Sequence, residues 1–250
     1  MWLECALSHK LGKDMETFDL RASDGGLVHC YDWEVAAPRA CIHIAHGMGE
    51  HAGRYDRLAK ALNAANFAVT ADDHRGHGVT GAANLGYFGP DGWNRVLADA
   101  YEINQHLRSR YPETPIILLG HSMGAMLSQL YITRYGASVH AVALSGSPGF
   151  SKPSWNPIPR WILRFEQKRL GLDAQSSVMQ GLLFGNANKP FDAPDASGFG
   201  WLSRDPEEVK QYVDDPLCGF VVSTGSLGDL YAGAAVAQDA LAIEVAKRPC

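Results

Sequence analysis

Residues 115–124, which read Pro-Ile-Ile-Leu-Leu-Gly-His-Ser-Met-Gly, decide the fold of this chain. A short apolar run, typical of a buried strand, leads into Gly-x-Ser-x-Gly, and a helical pattern follows to about residue 135. So tight a strand-to-helix turn forces its serine into a strained conformation, and small flanking residues relieve the crowding. The pattern predicts that Ser122 projects above the carboxyl edge of a sheet as a nucleophile, whereas a lone serine here would simply cap its helix.

Short apolar runs alternate with helical patterns on both sides of this stretch. The sequence predicts strands at 15–22, 27–35, 40–45, 67–72, 115–119 and 139–145, and helices at 54–66, 93–110 and 123–135. An Asp-Gly-Gly turn at 24–26 joins the first two strands as a hairpin. The β-α-β order of the remainder predicts an α/β fold with a doubly wound, mainly parallel sheet.

The alternation stops after Ser145. Eight of the thirteen prolines lie in residues 146–220, where the helical patterns are short and carry bulky apolar side chains. We therefore predict three parts: core residues 1–145, a helical cap insertion at 146–220, and a return helix of the core at 221–250. No apolar strand follows that helix, so we expect the last sheet strands to be missing. The exposed sheet edge would favour poor solubility or oligomerisation.

Composition excludes several classes of protein. A net charge of −5 gives no basic face for nucleic acid, and no apolar run is long enough to span a membrane. The N-terminus does not resemble a signal peptide. The five cysteines are widely spaced, which predicts reduced thiols in a cytoplasmic protein, without a disulfide framework or a cysteine-based zinc site.

A second loop, residues 46–50 (His-Gly-Met-Gly-Glu), directly follows the strand predicted at 40–45. Such a loop is able to aim a backbone N–H at the negative charge that develops on an acyl carbonyl, and the residue after the nucleophile supplies another. The sequence therefore predicts that the backbone N–H groups of Met48 and Met123 form an oxyanion hole. The alternative is an ordinary Gly-rich turn.

The charged loop at 72–81 suggests two other sites, which we reject. Its glycines match Gly-x-Gly-x-x-Gly, but a loop and not a helix follows, so a pyrophosphate would have no helix N-terminus to bind. The carboxylate and imidazoles at 73–77 have no further histidine cluster to complete a metal shell. The preferred interpretation is a buried ion pair between Asp72 and Arg75. No cofactor and no metal are expected.

Three motifs together resemble one family. His46-Gly47-x-Gly49-Glu50-His51-x-x-Arg54-Tyr55, then Asp73-x-Arg75-Gly76-His77-Gly78, then Gly120-His121-Ser122-Met123-Gly124 are similar to the monoacylglycerol lipase and lysophospholipase branch of the α/β-hydrolases, often grouped with serine aminopeptidase-type hydrolases. The insertion resembles the cap of that family. The resemblance implies hydrolysis of a lipid-like carboxylic ester, a monoacylglycerol or lysophospholipid, through an acyl-enzyme on Ser122.

The catalytic acid and base of that family are not identifiable in this sequence. In this fold the chain order is Ser, then Asp or Glu, then His, and the only histidine after Ser122 is His140. His140 begins the strand predicted at 139–145, at the edge opposite the nucleophile, so a structural role is preferred. We expect the acid and base beyond residue 250. His46 and His121 are the local candidates for a base, although packing or a structural hydrogen bond is their preferred role.

Two functions follow as hypotheses. The first is an ester hydrolase whose small-molecule substrate enters under the cap, with possible peripheral membrane contact through it. Apolar cap residues would then line an acyl channel or touch a membrane, or simply pack the cap onto the core: Trp155, Ile158, Trp161, Ile162, Leu163, Phe165, Leu182, Leu183 and Phe184. The second is a non-catalytic α/β-hydrolase fold that binds a small apolar ligand.

Overall fold

The computed structural model describes residues 15–147, 160–185, 187–188, 191 and 197–246. Its six-stranded sheet comprises β1 (Glu16–Arg21), β2 (Leu27–Trp33), β3 (Ala40–Ala45), β4 (Phe67–Asp72), β5 (Ile116–His121) and β6 (Ala141–Ser145). The strands lie in the order β1-β2-β4-β3-β5-β6. β1 and β2 form an antiparallel hairpin, β2 pairs antiparallel with β4, and β4, β3, β5 and β6 are mutually parallel. The predicted α/β class and mainly parallel sheet are confirmed.

Seven α-helices and two short 3-10 turns occupy the described segments between and after the strands. The helices are α1 (Asp56–Ala64), α2 (Gly92–Arg110), α3 (Met123–Tyr135), α4 (Arg160–Leu170), α5 (Ser177–Phe184), α6 (Pro206–Asp214) and α7 (Thr224–Ala246), and the 3-10 turns are Ala52–Tyr55 and Gly136–Ser138. None of these helices combines the length and the hydropathy that crossing a membrane requires.

Each face of the sheet is covered by its own helices, as in a doubly wound fold. On one face, α2, α3 and α7 bury a cluster that includes Leu97, Leu118 and Leu127. On the other, α1 covers Ile44 and Val69 in a second cluster. The central strands are therefore buried on both sides, which explains their continuous apolar runs.

Helices α4, α5 and α6 lie in the segment predicted as a cap, residues 146–220, which we refer to as the cap. The predicted acyl-channel residues separate here: Leu163 is buried in the main core, while the Trp161 and Phe165 side chains are 72% and 60% exposed. Phe184 is the only one of the nine predicted residues found to line the cavity at Ser122 in the described part of the chain. Trp155 and Ile158 lie outside the described residues. Among the described residues of this set, Phe184 therefore fits the acyl-channel alternative, Leu163 fits packing onto the core, and Trp161 and Phe165 are exposed.

β6 forms one edge of the sheet in the described part of the chain. It pairs with β5 on one side, and four of its five residues are exposed, with Leu144 at 44%. The opposite pattern holds for β3, where all six residues are buried. The β6 edge therefore leaves backbone and apolar groups open to pairing.

Candidate active site

Ser122 occupies the strained conformation that its motif predicts. Its φ is 52° and its ψ is −110°, between the last residue of β5 and the first residue of α3. Its backbone N–H donates to the Ser145 carbonyl at 2.9 Å, and its carbonyl accepts from Ala125 and Met126. A non-glycine residue rarely adopts positive φ, because this conformation costs free energy. The surrounding hydrogen bonds hold Ser122 in it.

The two glycines of the motif are required by close approach. A Cβ on Gly124 would overlap the carbonyl oxygen of Ala45 at the end of β3, and a Cβ on Gly120 would overlap the Gly124 carbonyl and the Ser128 hydroxyl. The start of α3 therefore packs directly on the carboxyl ends of β3 and β5. This packing brings the loop after β3 next to Ser122.

The loop that carries Met48 is held by a buried carboxylate. Glu50 Oε1 accepts the Gly47 N–H at 2.8 Å and the Tyr55 hydroxyl at 2.9 Å, while Oε2 pairs with Arg54 at 2.7 Å. Burial, with the Glu50 charge beside it, raises the pKa of Tyr55 far above its usual value, so the phenol stays a donor. The sequence interpretation missed this role of Glu50; the Glu50–Arg54 spacing of four residues was the available signal.

Contacts from the cap side hold the same loop. The Gly49 carbonyl accepts from the Tyr212 hydroxyl and from the Gly219 N–H, both at 2.9 Å. Gly49 itself has a φ of +70°, and a Cβ there would lie 2.8 Å from the Phe220 carbonyl oxygen. Met48 lines the cavity together with Ser122, and Met123 begins α3 with a buried side chain. Their backbone role as an oxyanion hole stays a prediction.

The two local candidates for a base, His46 and His121, form hydrogen bonds with groups other than the Ser122 hydroxyl. His46 is fully buried; Nδ1 donates to the Gly47 carbonyl at 2.7 Å and Nε2 accepts from the His74 N–H at 3.1 Å. Burial holds the pKa of His46 well below its usual value. His121 Nδ1 lies 3.3 Å from Ser145 Oγ. Within the described ranges, neither histidine bonds the Ser122 hydroxyl.

His140 lies where the sequence predicted, away from Ser122. Its Nδ1 accepts from the Ile116 N–H at 3.1 Å, and its own N–H donates to the Ile116 carbonyl. Ile116 is the first residue of β5, whereas Ser122 follows the last. His140 therefore braces the opposite edge of the sheet.

The predicted ion pair between Asp72 and Arg75 is wrong. Asp72 instead bonds His43 at 3.1 Å and His74 at 2.8 Å, all inside the core. Burial raises the pKa of Asp72, but His74 and His43 outweigh it and hold it well below its usual value. Arg75 turns outward and joins Asp24 of the β1–β2 turn to Asp99 of α2. The sequence shows that charges are close along the chain, but not which way each side chain points.

A cavity of about 810 Å³ opens over Ser122 between the sheet edge and the cap. Apolar cap side chains line it, including Phe184, Phe199 and Trp201. Four charged side chains also line it: Glu50, Arg54, Arg57 and Glu208. The site thus places a strained serine in a largely apolar, concave space of the size that small-molecule sites have.

This combination of sheet, strained serine and adjacent Gly-rich loop defines the α/β-hydrolase class. A family model described as serine aminopeptidase, S33, matches residues 36–245, and the chain belongs to that family of serine hydrolases. The predicted resemblance to the monoacylglycerol lipase branch is confirmed by the relatives that follow.

Two curated relatives illustrate the similarity. A monoglyceride lipase homolog of monkeypox virus is 30% identical over 195 residues, which cover 78% of this chain and 62% of the viral protein. A monoacylglycerol lipase of Mycolicibacterium smegmatis is 33% identical over 205 residues, which cover 78% of this chain and 63% of that protein. The chain therefore spans less than two thirds of the length of these relatives.

Solved structures agree on the architecture. A highly thermostable carboxyl esterase from Bacillus coagulans, in complex with glycerol, superimposes with a TM-score of 0.77 at 26% identity, covering 90% of this chain and 73% of that one. A structure described as a lipase in its open form gives a TM-score of 0.78 at 26% identity, covering 89% and 74%.

Proposed function

We propose that the protein to which this chain belongs hydrolyses a carboxylic ester of a lipid-like alcohol, with Ser122 as the nucleophile of an acyl-enzyme. The observation that carries the proposal is the strained Ser122 at the wall of the 810 Å³ cavity. The backbone N–H groups of Met48 and Met123 would stabilise the oxyanion. The catalytic acid and base would come from outside the described residues, because activation of a serine requires both.

The charges in the cavity favour a neutral alcohol over a phosphate. Arg54 is paired with Glu50 at 2.7 Å, and Arg57 is paired with Glu208 at 2.5 Å. Each arginine that lines the cavity is therefore neutralised by a carboxylate that also lines it. A phosphate would meet two carboxylates beside the two arginines, whereas hydroxyl groups would bond to either kind of group without a change in charge. We therefore favour a monoacylglycerol over a lysophospholipid.

Exposed apolar residues on α4 and just after its end support peripheral membrane contact as part of the same proposal. Trp161, Phe165 and Leu172 line a shallow surface pocket separate from the Ser122 cavity, and all three are more than half exposed. Aromatic side chains on an exposed helix favour the membrane interface. A lipid-derived substrate would reach the cavity from such a surface.

Labelling with a fluorophosphonate probe, read by intact mass, tests the proposal because the probe reacts with activated serines. We expect a single addition to the full-length protein that Ser122→Ala abolishes, because the full-length protein supplies the base. A glyceryl monoether should slow the labelling more than a lyso-ether phospholipid of equal chain length. Folding of both proteins is checked by circular dichroism.

The same experiment separates the second candidate function. A folded full-length protein that is never labelled, yet is stabilised against heat by the glyceryl monoether, would be the non-catalytic ligand-binding protein. Labelling that survives in Ser122→Ala would place the nucleophile elsewhere and contradict the proposal.

A further inference from the structure

Three potential metal ligands converge beside the loop that carries Met48. His51 lies at the start of the first 3-10 turn, and Asp215 and Cys218 lie between α6 and α7. One ligand atom from each lies within 4.8 Å of the other two, and all three residues are partly buried. Because 164 positions of the chain separate His51 from Asp215, no local sequence motif indicates the cluster.

Local hydrogen bonds orient the ligands. Asp215 Oδ1 accepts the Leu217 N–H at 2.8 Å, and the Asp215 carbonyl accepts the Cys218 N–H at 3.0 Å. The second carboxylate oxygen, Oδ2, is left to bond His51 Nε2 at 2.8 Å. The turn therefore presents a carboxylate oxygen and a thiol together to an imidazole nitrogen, with the carboxylate fixed by its own backbone.

We propose that His51, Asp215 and Cys218 form a site for a thiophilic divalent cation such as Zn²⁺. Nitrogen, oxygen and sulfur ligands at about 2.0–2.3 Å are those that Zn²⁺ takes, and tetrahedral geometry places such ligands about 3.5 Å apart. His51 Nε2 and Asp215 Oδ2, now 2.8 Å apart, would separate slightly to admit the cation. The Cys218 sulfur, which lies within 4.8 Å of both, would approach it, and water would complete the shell.

Binding of the cation moves one proton within His51 and releases another from Cys218. The cation takes the place of the proton between His51 Nε2 and Asp215, and that proton moves to His51 Nδ1, a buried nitrogen without a hydrogen-bond partner in the described part of the chain. The Cys218 thiol proton leaves to solvent as the metal–sulfur bond forms.

Both halves of the cluster connect to the loop at Ser122. His51 follows Gly49 by two residues, and Gly219, next to Cys218, donates its N–H to the Gly49 carbonyl at 2.9 Å. Drawing Cys218 toward His51 therefore pulls on the loop that carries Met48. We expect bound Zn²⁺ to slow acylation of Ser122, an effect that rests on the proposed function, whereas the metal site itself does not.

Cobalt titration of the whole chain tests the site by a spectrum that does not depend on enzymatic activity. Co²⁺ bound to a thiolate gives a charge-transfer band in the near ultraviolet, and we expect it to saturate at one equivalent and to be displaced by Zn²⁺. Cys218→Ser should abolish the band. Asp215→Asn should weaken binding by at least about tenfold, since even groups behind the ligands contribute that much.

The matched control is Asp214→Asn, which changes the neighbouring carboxylate, one that pairs with Lys210 outside the cluster. Three results would overturn the site. The folded chain gives no saturable band, the band persists in Cys218→Ser, or Asp214→Asn and Asp215→Asn weaken Co²⁺ binding equally. Where Cys218→Ser does not fold, the two aspartate variants decide.

Fluorophosphonate labelling of the full-length protein with and without Zn²⁺ then tests the link to Ser122. Slower labelling that Asp215→Asn relieves supports it, and an unchanged rate at saturating Zn²⁺ overturns it. If Ser122 is never labelled, the proposed function fails, while the cobalt spectrum still decides the metal site.

Discussion

Gly124 makes the closest approach among the described glycines, because an added Cβ would lie 2.0 Å from the Ala45 carbonyl oxygen. Its Cα faces the Ala45 and His46 carbonyls at the end of β3, where a side chain has no space. We expect Gly124→Ala to reduce the free energy of unfolding by about 1–3 kcal/mol or more, because overpacking forces α3 away from the strand. Chemical denaturation measures the change, and any probe labelling of Ser122 should fall with it.

Gly181 provides the control, because it lies in α5 and a Cβ added to it would meet nothing within 4 Å. Gly181→Ala should stabilise the protein by about 0.5–1 kcal/mol through the lost flexibility of the unfolded chain. Similar effects of the two substitutions would mean that the close approach at Gly124 is not what the motif requires.

The residue scale also shows what the sequence could reveal about the site. The strain at Ser122 follows from local chemistry, because two glycines and a serine between a strand and a helix leave one way to turn. The orientations of Asp72 and Arg75 do not, because they depend on which helix or hairpin packs above the loop. Arg75 finds its partners in Asp24 and Asp99, 51 and 24 positions away.

At the scale of elements, the sequence predicted which strands and helices exist more accurately than where each one ends. β4 was predicted at 67–72 and has those bounds. β5 was predicted to end at Leu119 but continues to His121, because its backbone pairs with Ala45 on one side and Ser145 on the other. Ladder pairing depends on distant strands, which no local pattern contains.

The exposed edge at β6 predicts self-association. Leu144 is 44% exposed on an edge strand with open backbone groups, and charged side chains on such edges prevent pairing between molecules. We expect Leu144→Lys to raise the monomer fraction in sedimentation velocity runs over a range of concentrations.

Val213, on helix α6, is the matched control for Leu144 because it is 45% exposed but not on a strand. Val213→Lys should leave the association unchanged. If both lysine variants raise the monomer fraction equally, the association is caused by general surface hydrophobicity and not by the β6 edge. A parent chain that is already monomeric would contradict the expectation directly.

At the scale of the whole molecule, three buried histidines form a cluster in which one pair of rings stacks and the third ring meets them edge-on. His46 and His74 stack at 4.1 Å between ring centroids, and His77 contacts His46 at 5.0 Å. Burial and the neighbouring His74 lower the pKa of His77 to about 3. His74 differs: burial opposes its protonation, but Asp72 outweighs burial and raises its pKa.

These shifts make the stability of the whole fold depend on pH. Between the ordinary histidine pKa of about 6.5 and the folded value of about 3, the unfolded chain holds a proton at His77 that the folded chain lacks. Stability is therefore lost as pH falls through this window, by about 1.4 kcal/mol per pH unit for each such group. His77→Asn, which keeps a donor for the Arg75 carbonyl, should flatten the dependence measured by urea unfolding from pH 7 to pH 4. His140→Asn removes an exposed histidine instead, and an equal flattening there would refute the assignment to His77.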